Sequence, residues 1–176
     1  MGTTRADHLM PPETDDRVRL PYFTEGPRLN VACGVDGTEG FVRLDRSLVA
    51  EPDILADARK LPFRDESFGE IRSWHILEHF ERSELVPTMN EWWRILVNGG
   101  VIDLEFPIFP SREALDDPTH LSLLSQGMFE YFLKGGLHED HRQLYGIRPW
   151  YCKDRKILGM NSIMWLLLEK VPECGS

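Results

Sequence analysis

The stretch that decides the fold runs from Arg28 to Asp45 and reads RLNVACGVDGTEGFVRLD. The apolar pattern of Leu29–Val31 predicts a short strand, and that of Val42–Leu44 predicts a second one. Between them, the small residues Ala32–Gly34 let a ligand approach the backbone closely. Asp45 stands at the carboxyl end of the second strand, where a carboxylate can accept hydrogen bonds from both hydroxyls of a ribose. The stretch therefore predicts an α/β fold with a site for a nucleoside cofactor.

The glycines of this loop argue against two common cofactors. Their spacing does not fit G-x-G-x-x-G, so the loop does not predict nicotinamide or flavin binding. Gly37 and Gly40, with Asp36 and Thr38, favour a turn, and we expect the helix that usually follows the first strand to be shortened or absent. Backbone amides of the loop then replace the contacts that a helix amino terminus usually makes.

Later segments extend this interpretation in a consistent order. They are Asp57-Ala58-Arg59 with Leu61-Pro62-Phe63, Ser67-Phe68, Ser73-Trp-His-Ile-Leu-Glu-His79 and Glu91-Trp-Trp-Arg-Ile-Leu-Val-Asn-Gly-Gly100. Together with the first stretch they resemble the class I S-adenosylmethionine-dependent methyltransferases, and most closely the small bacterial type-11 group. The resemblance covers about Arg28 to Pro107, and Asp116-Asp-Pro-Thr-His120 also looks like a segment of that group.

The resemblance implies a fold, a cofactor and a set of binding residues. The fold is a Rossmann-like, doubly wound sheet of seven strands, mostly parallel with the last strand antiparallel. The cofactor is S-adenosylmethionine, with S-adenosylhomocysteine as product. The implied cofactor-binding residues are Ala32, Cys33, Gly34, Asp45, Asp57, Ala58, Ser73 and Trp74.

Two of these residues have assigned contacts by resemblance. Asp57 accepts a hydrogen bond from the adenine amino group, and Ala58 donates its backbone amide to the ring. The alternative for Asp57 is a cap for the turn at Ala58–Lys60. Leu61–Phe63 would cover the apolar face of the ring, although Phe63 is equally compatible with the core.

Histidines supply the candidates for proton transfer. His75 follows the fourth strand directly and could face the transferred methyl group. His120 could act as a general base oriented by a carboxylate, or be an ordinary turn histidine. His75 and His79, four apart on one face of a predicted helix, have a spacing that can bind zinc. The sequence shows no third ligand and no H-E-x-x-H, so we expect no metal, and we expect His79 to fix the loop through a backbone carbonyl or the Glu78 region.

The remaining pattern completes the predicted order of elements. The elements are a third strand over 54–58, a fourth strand over 69–73, a helical turn over 74–79, an amphipathic helix over 85–96 that ends at 98–100, a fifth strand over 101–106, a helix at about 125–134, and two strands over 148–156 and 163–171. By resemblance, the irregular segment at about 107–145 sets acceptor specificity.

Composition bounds the domain organisation and the partners. A chain of 176 residues with 41% hydrophobic content can build one sizeable core, and we expect a single domain over 28–176. Residues 1–27 contain four prolines and predict a flexible arm, or a lid in which Leu20–Phe23 covers the cleft. The formal net charge of −9 disfavours a nucleic acid partner.

Cysteine usage and hydropathy predict the compartment. The three cysteines have no metal-ligand spacing, and their odd number suits a reducing compartment. The first residues lack a signal-peptide core, and no apolar run has the length of a membrane span. We therefore expect a cytoplasmic protein with no membrane contact, which could form a homodimer.

Taken together, these patterns predict methyl transfer to a small-molecule acceptor, most favourably a hydroxyl of a sugar or natural product, with His120 or His75 as base. The alternatives are an N-methyltransferase and a cofactor-binding pseudoenzyme that acts through a protein partner. A nicotinamide or nucleotide-sugar enzyme is disfavoured by the glycine spacing.

Overall fold

The computed structural model describes residues 26–35 and 38–172. Its strands are β1 (Arg28–Val31), β2 (Val42–Asp45), β3 (Ile54–Leu55), β4 (Phe68–Trp74), β5 (Leu96–Pro107), β6 (Trp150–Leu158) and β7 (Ile163–Lys170). Its α-helices are α1 (Arg82–Ile95), α2 (Arg112–Leu115) and α3 (Glu139–Leu144), and 3-10 helices cover Leu48–Ala50, Leu77–His79 and Gln126–Tyr131. The lid predicted over Leu20–Phe23 lies outside the described residues.

The strands form one seven-stranded sheet in the order β3-β2-β1-β4-β5-β7-β6. β1 to β5 pair in parallel, and β7 runs antiparallel to both β5 and β6. This arrangement confirms the predicted α/β fold class. The strand order reverses direction between β1 and β4, and ligands of open α/β sheets bind where the carboxyl ends of such strands meet. The topology thus places the candidate site beyond the ends of β1, β2, β3 and β4.

The connection from β1 to β2 is a loop of turns. Residues 32–35 and 38–41 form turns and bends, with no helix among these described positions. The Cys33 amide donates to the Leu44 carbonyl at 3.1 Å, so the chain turns away from β1 while it still contacts β2. Among the described residues of this connection, a short loop takes the place of the helix that usually follows the first strand.

One face of the sheet carries the main core. Alternating strand residues such as Ile71, Ile102 and Leu104 are fully buried there. The apolar stripe of α1 packs on them through Leu85, Met89, Trp92 and Ile95. The amphipathic helix predicted from the sequence is thus confirmed as the element that covers this face.

The opposite face carries a polar and aromatic group on β4, β5 and β7. The Asp103 carboxylate accepts hydrogen bonds from the indoles of Trp74 (3.1 Å) and Trp165 (2.8 Å). The Arg72 guanidinium lies 4.3 Å from the centre of the Trp74 ring and 3.5 Å from Asp103. Burial raises the pKa of Asp103. The two indole hydrogen bonds and the charge of Arg72 lower it and offset part of that rise.

Several predicted element boundaries are wrong, and the strand predicted over 54–58 covers only Ile54–Leu55. β4 continues to Trp74, and only Leu77–His79 turns helical, because His75 adopts a left-handed φ of 52° that a helix cannot contain. α1 ends at Ile95, not at the glycines, because Leu96 is already extended and begins β5. The segment expected to be helical at about 125–134 is a shorter 3-10 helix.

Candidate active site

A cleft opens at the carboxyl ends of β1, β2 and β3. Its lining residues are Ala32, Leu44, Asp45, Arg46, Ala56, Asp57, Ala58, Arg59, Ile76, His79 and Phe80. Four of the residues predicted to bind the cofactor, Ala32, Asp45, Asp57 and Ala58, come together here although they are far apart in the sequence. A single cavity therefore joins the glycine loop to both strand-end carboxylates.

Asp45 fixes the shape of the glycine loop. Its Oδ2 accepts a hydrogen bond from the Gly34 amide at 3.0 Å, and its Oδ1 accepts one from the Ser47 amide at 2.8 Å. Ala32 and Gly34 both adopt left-handed backbone, with φ of 54° and 53°. A Cβ on Gly34 would meet no atom within 4 Å, so its backbone conformation alone favours glycine there. The carboxylate thus ties the loop to β2 and keeps one lone pair on each oxygen for a ligand.

Asp57 is held by the arginine two residues later. Its Oδ1 accepts from the Arg59 amide and Nε, both at 2.9 Å, and its Oδ2 accepts from Nη2 at 2.6 Å. These interactions hold the pKa of Asp57 at about 2. Arg59 also donates to Glu84 of α1 at 2.6 Å. Asp57 therefore does cap its own turn, and the free lone pair on Oδ2 remains available to the cleft.

Ala58 is fixed by the tryptophan that faces it. The buried indole of Trp92 donates to the Ala58 carbonyl at 2.8 Å. Trp92 is fully buried, while Trp93 donates to the Pro149 carbonyl at 3.0 Å. α1 therefore positions the turn after β3 by a directed hydrogen bond as well as by packing.

Four predicted cofactor residues do not line the cleft. Gly34 contributes through its bond to Asp45, and the buried Cys33 thiol has a pKa raised first by burial and then by Asp45. Ser73 is 1% exposed, and the Trp74 indole bonds to Asp103 on the opposite face. Successive side chains of β4 point to opposite faces of the sheet, so Ser73 and Trp74 lie on different faces, and neither of them lines the cleft.

The apolar wall of the cleft also differs from the prediction. Phe63 packs against Phe68, with ring centres 4.7 Å apart, and neither Phe63 nor Leu61 lines the cleft. Ile76 and Phe80 occupy that wall instead. Both belong to the run after β4, whose sharp turn at His75 could not be anticipated from apolar spacing.

Two arginines in the cleft were not singled out from the sequence. Arg46 and Arg59 each follow a predicted acidic residue closely, and both line the cavity. That spacing is the only signal the sequence offers for them. They place positive charge beside Asp45 and Asp57 and limit the repulsion between the two carboxylates.

His75 lies between two carboxylates. Its Nε2 is 3.0 Å from Glu105 Oε1, and its Nδ1 is 3.4 Å from Glu78 Oε1. These contacts, Glu105 first, raise the pKa of His75 to about 9. An imidazole that is protonated at neutral pH has no lone pair with which to take a proton. The geometry therefore disfavours the predicted base role of His75.

His120 and His79 meet beside the cleft. Their rings are 4.9 Å apart at an angle of 75°. The His120 side chain is 8% exposed, its Nδ1 lies 3.1 Å from the Ala114 carbonyl, and its Nε2 lies 3.8 Å from Asp117 Oδ2. A carbonyl only accepts, so Nδ1 carries a proton and the neutral ring keeps its lone pair on Nε2. Of the two predicted bases, His120 has the geometry for the role.

His79 is held as the sequence suggested. Its Nδ1 lies 3.3 Å from the Thr119 carbonyl, and its ring borders the cleft. The residue thus joins the segment around 117–120 to the cofactor cavity.

Comparisons with known proteins agree with this geometry. Residues 20–103 match the model of the family described as Methyltransferase domain. The matched residues include every residue that lines the cleft, so the cleft lies in the part of the chain that is similar to a methyltransferase domain. No curated protein matches the sequence significantly. The family match implies S-adenosylmethionine as the cofactor. None of the helices that the structure describes is long and apolar enough to cross a membrane.

Solved structures share the fold of this chain at low sequence identity. The PH0226 protein from Pyrococcus horikoshii is 22% identical, with 90% of this chain and 88% of that chain covered and a TM-score of 0.61. An S-adenosylmethionine-dependent methyltransferase from Archaeoglobus fulgidus is 16% identical, with 88% and 90% covered and a TM-score of 0.62. A chain of the complex between the Haloferax volcanii Trm112 methyltransferase activator and a methyltransferase is 13% identical, with 88% and 86% covered and a TM-score of 0.63.

Proposed function

We propose that this methyltransferase transfers the methyl group of S-adenosylmethionine to a hydroxyl of a small molecule, such as a sugar or natural product. The observation that carries the proposal is the oriented Nε2 of His120, which stands next to His79 at the wall of the cofactor cleft. A hydroxyl must lose its proton when it accepts a methyl group, and an imidazole is suited to take that proton near neutral pH.

The cleft has the groups that the cofactor requires. One lone pair on each Asp45 oxygen can accept from a ribose hydroxyl, and one on Asp57 Oδ2 can accept from the adenine amino group. Ile76 and Phe80 offer an apolar wall to the ring. Asp45, Asp57 and the loop at Ala32 would therefore hold the cofactor.

The chemistry divides between the cofactor and the chain. Bound S-adenosylmethionine supplies a methyl group on an activated sulfonium. The protein's task is to hold the acceptor oxygen in line with that methyl group and to draw off the proton. His120 Nε2 accepts the proton, and the Ala114 carbonyl keeps the ring in the tautomer that can do so.

Titration calorimetry with S-adenosylmethionine and S-adenosylhomocysteine tests the cofactor site. For the intact protein we expect micromolar binding, which corresponds to a binding free energy of about 8 kcal/mol. Asp45→Ala should lower the affinity at least about tenfold, because the variant loses both the acceptor for a ribose hydroxyl and the contact to the Gly34 amide. The matched control is Asp140→Ala, an exposed carboxylate outside the cleft. An intact chain that binds neither compound would overturn autonomous methyl transfer and favour a protein completed by a partner.

Replacement of His120 tests the acceptor chemistry. In a screen of hydroxyl acceptors, we expect His120→Ala to lower the rate about 10²-fold or more while cofactor affinity stays unchanged. The control is His141→Ala, an exposed histidine whose ring lies edge-on to Tyr131 and does not line the cleft. Full activity of His120→Ala, or turnover with amines alone, would contradict the hydroxyl proposal.

A further inference from the structure

We propose that Glu78, His79 and His120 form a binding site for a divalent transition-metal ion, of the type occupied by zinc, beside the cofactor cleft. One ligand atom from each residue lies within 4.8 Å of the other two. The histidine pair suggested by the sequence was His75 and His79. The fold instead brings His79 to His120, which lies 41 positions further along the chain.

The two rings are held as metal-ligating histidines usually are. His79 Nδ1 lies 3.3 Å from the Thr119 carbonyl, and His120 Nδ1 lies 3.1 Å from the Ala114 carbonyl. Since a carbonyl cannot donate, both Nδ1 atoms donate, and both Nε2 atoms keep a lone pair. A ligating histidine typically donates its second nitrogen to a backbone carbonyl or carboxylate in this manner, which fixes its tautomer and orientation.

Glu78 provides an independent reason for a cation. The residue is 1% exposed, and neither carboxylate oxygen accepts a hydrogen bond from any described side chain or amide. Oε1 lies 3.4 Å from His75 Nδ1, whereas the shorter contact of His75 is the one to Glu105 at 3.0 Å. The charged His75 imidazole compensates part of the charge of this buried carboxylate at Oε1, while Oε2 has no described hydrogen-bond partner, and direct coordination of a cation would satisfy that oxygen.

The ligand types identify the class of ion. Two imidazoles and one carboxylate form a three-ligand set of the kind that leaves a fourth position of zinc open to water or substrate. The carboxylate of Asp117, 3.8 Å from His120 Nε2, adds negative charge on the open side. Ligand atoms around tetrahedral zinc lie about 3.3 Å apart, so an ion would draw the segment around His120 closer to Leu77–His79.

The position of the site gives it a role in the proposed reaction, on which this part of the inference rests. His79 borders the cofactor cleft, so an ion bound to His79 would lie at the edge of that cleft. A bound cation lowers the pKa of a hydroxyl that coordinates it. With an ion bound, the hydroxyl proton would pass to solvent and the oxygen would bond to the methyl carbon as the sulfonium bond breaks. His120 would then serve as a ligand, and it is the base of the proposed function only in the metal-free protein.

The first test measures metal binding without cofactor. After treatment with a chelator, the full chain is titrated with zinc chloride, and cobalt chloride serves as a spectroscopic probe of coordination. We expect one equivalent of zinc to bind, with affinity reduced at least about tenfold in His79→Ala, His120→Ala and Glu78→Gln. His141→Ala is the matched control, because this exposed histidine lies beside His138 and Tyr131, away from the three ligands.

Glu78→Gln keeps the size of the side chain, so it is the variant least expected to unfold the protein. Circular dichroism checks that every variant is folded. Zinc binding that survives unchanged in both Glu78→Gln and His120→Ala would overturn the site, as would equal loss in His141→Ala. Intact chain that binds no zinc would overturn it as well.

The second test separates this inference from the proposed function. Methyl transfer to a hydroxyl acceptor is measured after chelation and again after zinc is restored. Activity that falls on chelation and returns with zinc supports the role of the cation. Full activity of metal-free protein overturns that role and leaves His120 as a base. If no methyl transfer occurs at all, the proposed function fails, while the zinc titration still decides the site.

Discussion

The Asp57 carboxylate is bonded to Arg59 through both oxygens, and this makes its contribution to stability dependent on pH. Hydrogen bonds from Arg59 lower the pKa of Asp57 from 3.8 to about 2. A carboxyl whose folded pKa is depressed stabilises the fold above its unfolded pKa, and the stabilisation is lost as the pH falls through the folded value. Asp57→Asn should therefore lower the free energy of unfolding at pH 7 by an amount that stays constant to about pH 5 and shrinks below about pH 4.

Urea unfolding of the intact protein and Asp57→Asn at a series of pH values checks this expectation. Asp140→Asn, an exposed carboxyl outside the cleft, should show no such trend. A difference between the intact protein and Asp57→Asn that persists unchanged down to pH 3 would mean that the pair with Arg59 is not what lowers the pKa of Asp57.

The strand-end carboxylates were predictable from the sequence, while several neighbouring residues were not. Asp45 and Asp57 each follow an apolar strand pattern, so their position at the sheet edge follows from chain order. Ser73 and Trp74 are the last two residues of β4, and only the register against β5 decides which face each side chain takes. The meeting of His79 with His120 depends on two segments whose contact no local pattern encodes.

Helix α1 connects the core to the cofactor cleft through one side chain. The Trp92 indole is fully buried and donates to the Ala58 carbonyl at 2.8 Å. Trp92→Phe keeps an aromatic ring but leaves that carbonyl without its donor, which should lower the free energy of unfolding by about 1–3 kcal/mol. Because Ala58 and Asp57 form one turn, affinity for S-adenosylmethionine should also fall.

Urea unfolding and calorimetry measure the two effects in the same variant. Trp93→Phe is the matched control, since its indole bonds to Pro149 and does not touch the turn at Ala58. Its cofactor affinity should remain that of the intact protein. Equal cofactor affinity in both variants would show that α1 packs under the cleft without positioning it.

Elements with regular patterns could be predicted, and their ends could not. The apolar spacing of α1 and the alternation over Val101–Phe106 each indicated the right type of element. The end of α1 was predicted at Asn98–Gly100 because glycine often follows a helix. The chain instead becomes extended at Leu96, whose backbone pairs with Phe68 in the sheet. A local stop signal was overridden by a contact with a strand distant in sequence.

At the scale of the whole molecule, the sheet order explains why one cleft collects residues from so much of the chain. β1, β2, β3 and β4 all end at the same edge, so the loops after them share one space. The antiparallel β7 inserts between β5 and β6 and closes the other side of the sheet. The resemblance predicted this arrangement, whereas periodicity alone could assign strands but not their order.

The end of β7 is joined to the start of β5 by a buried lysine. Lys170 is 2% exposed, and its Nζ donates to the Leu96 carbonyl at 2.7 Å and to Glu66 at 3.3 Å. The same ammonium lies 4.1 Å from the centre of the Trp93 ring. These contacts span most of the described chain, so they form only when the late strand has joined the sheet.

Lys170→Met should therefore destabilise the whole domain without altering the cleft. The methionine fills similar space but leaves the Leu96 carbonyl without a donor, which should lower the free energy of unfolding by about 1–3 kcal/mol. Lys60→Met, an exposed lysine, is the control and should change stability by no more than about 0.5 kcal/mol. Affinity for S-adenosylmethionine should match that of the intact protein, because Lys170 does not line the cleft. If Lys170→Met and the intact protein have the same free energy of unfolding in urea, the cost of burying the ammonium equals the stabilisation that its contacts provide.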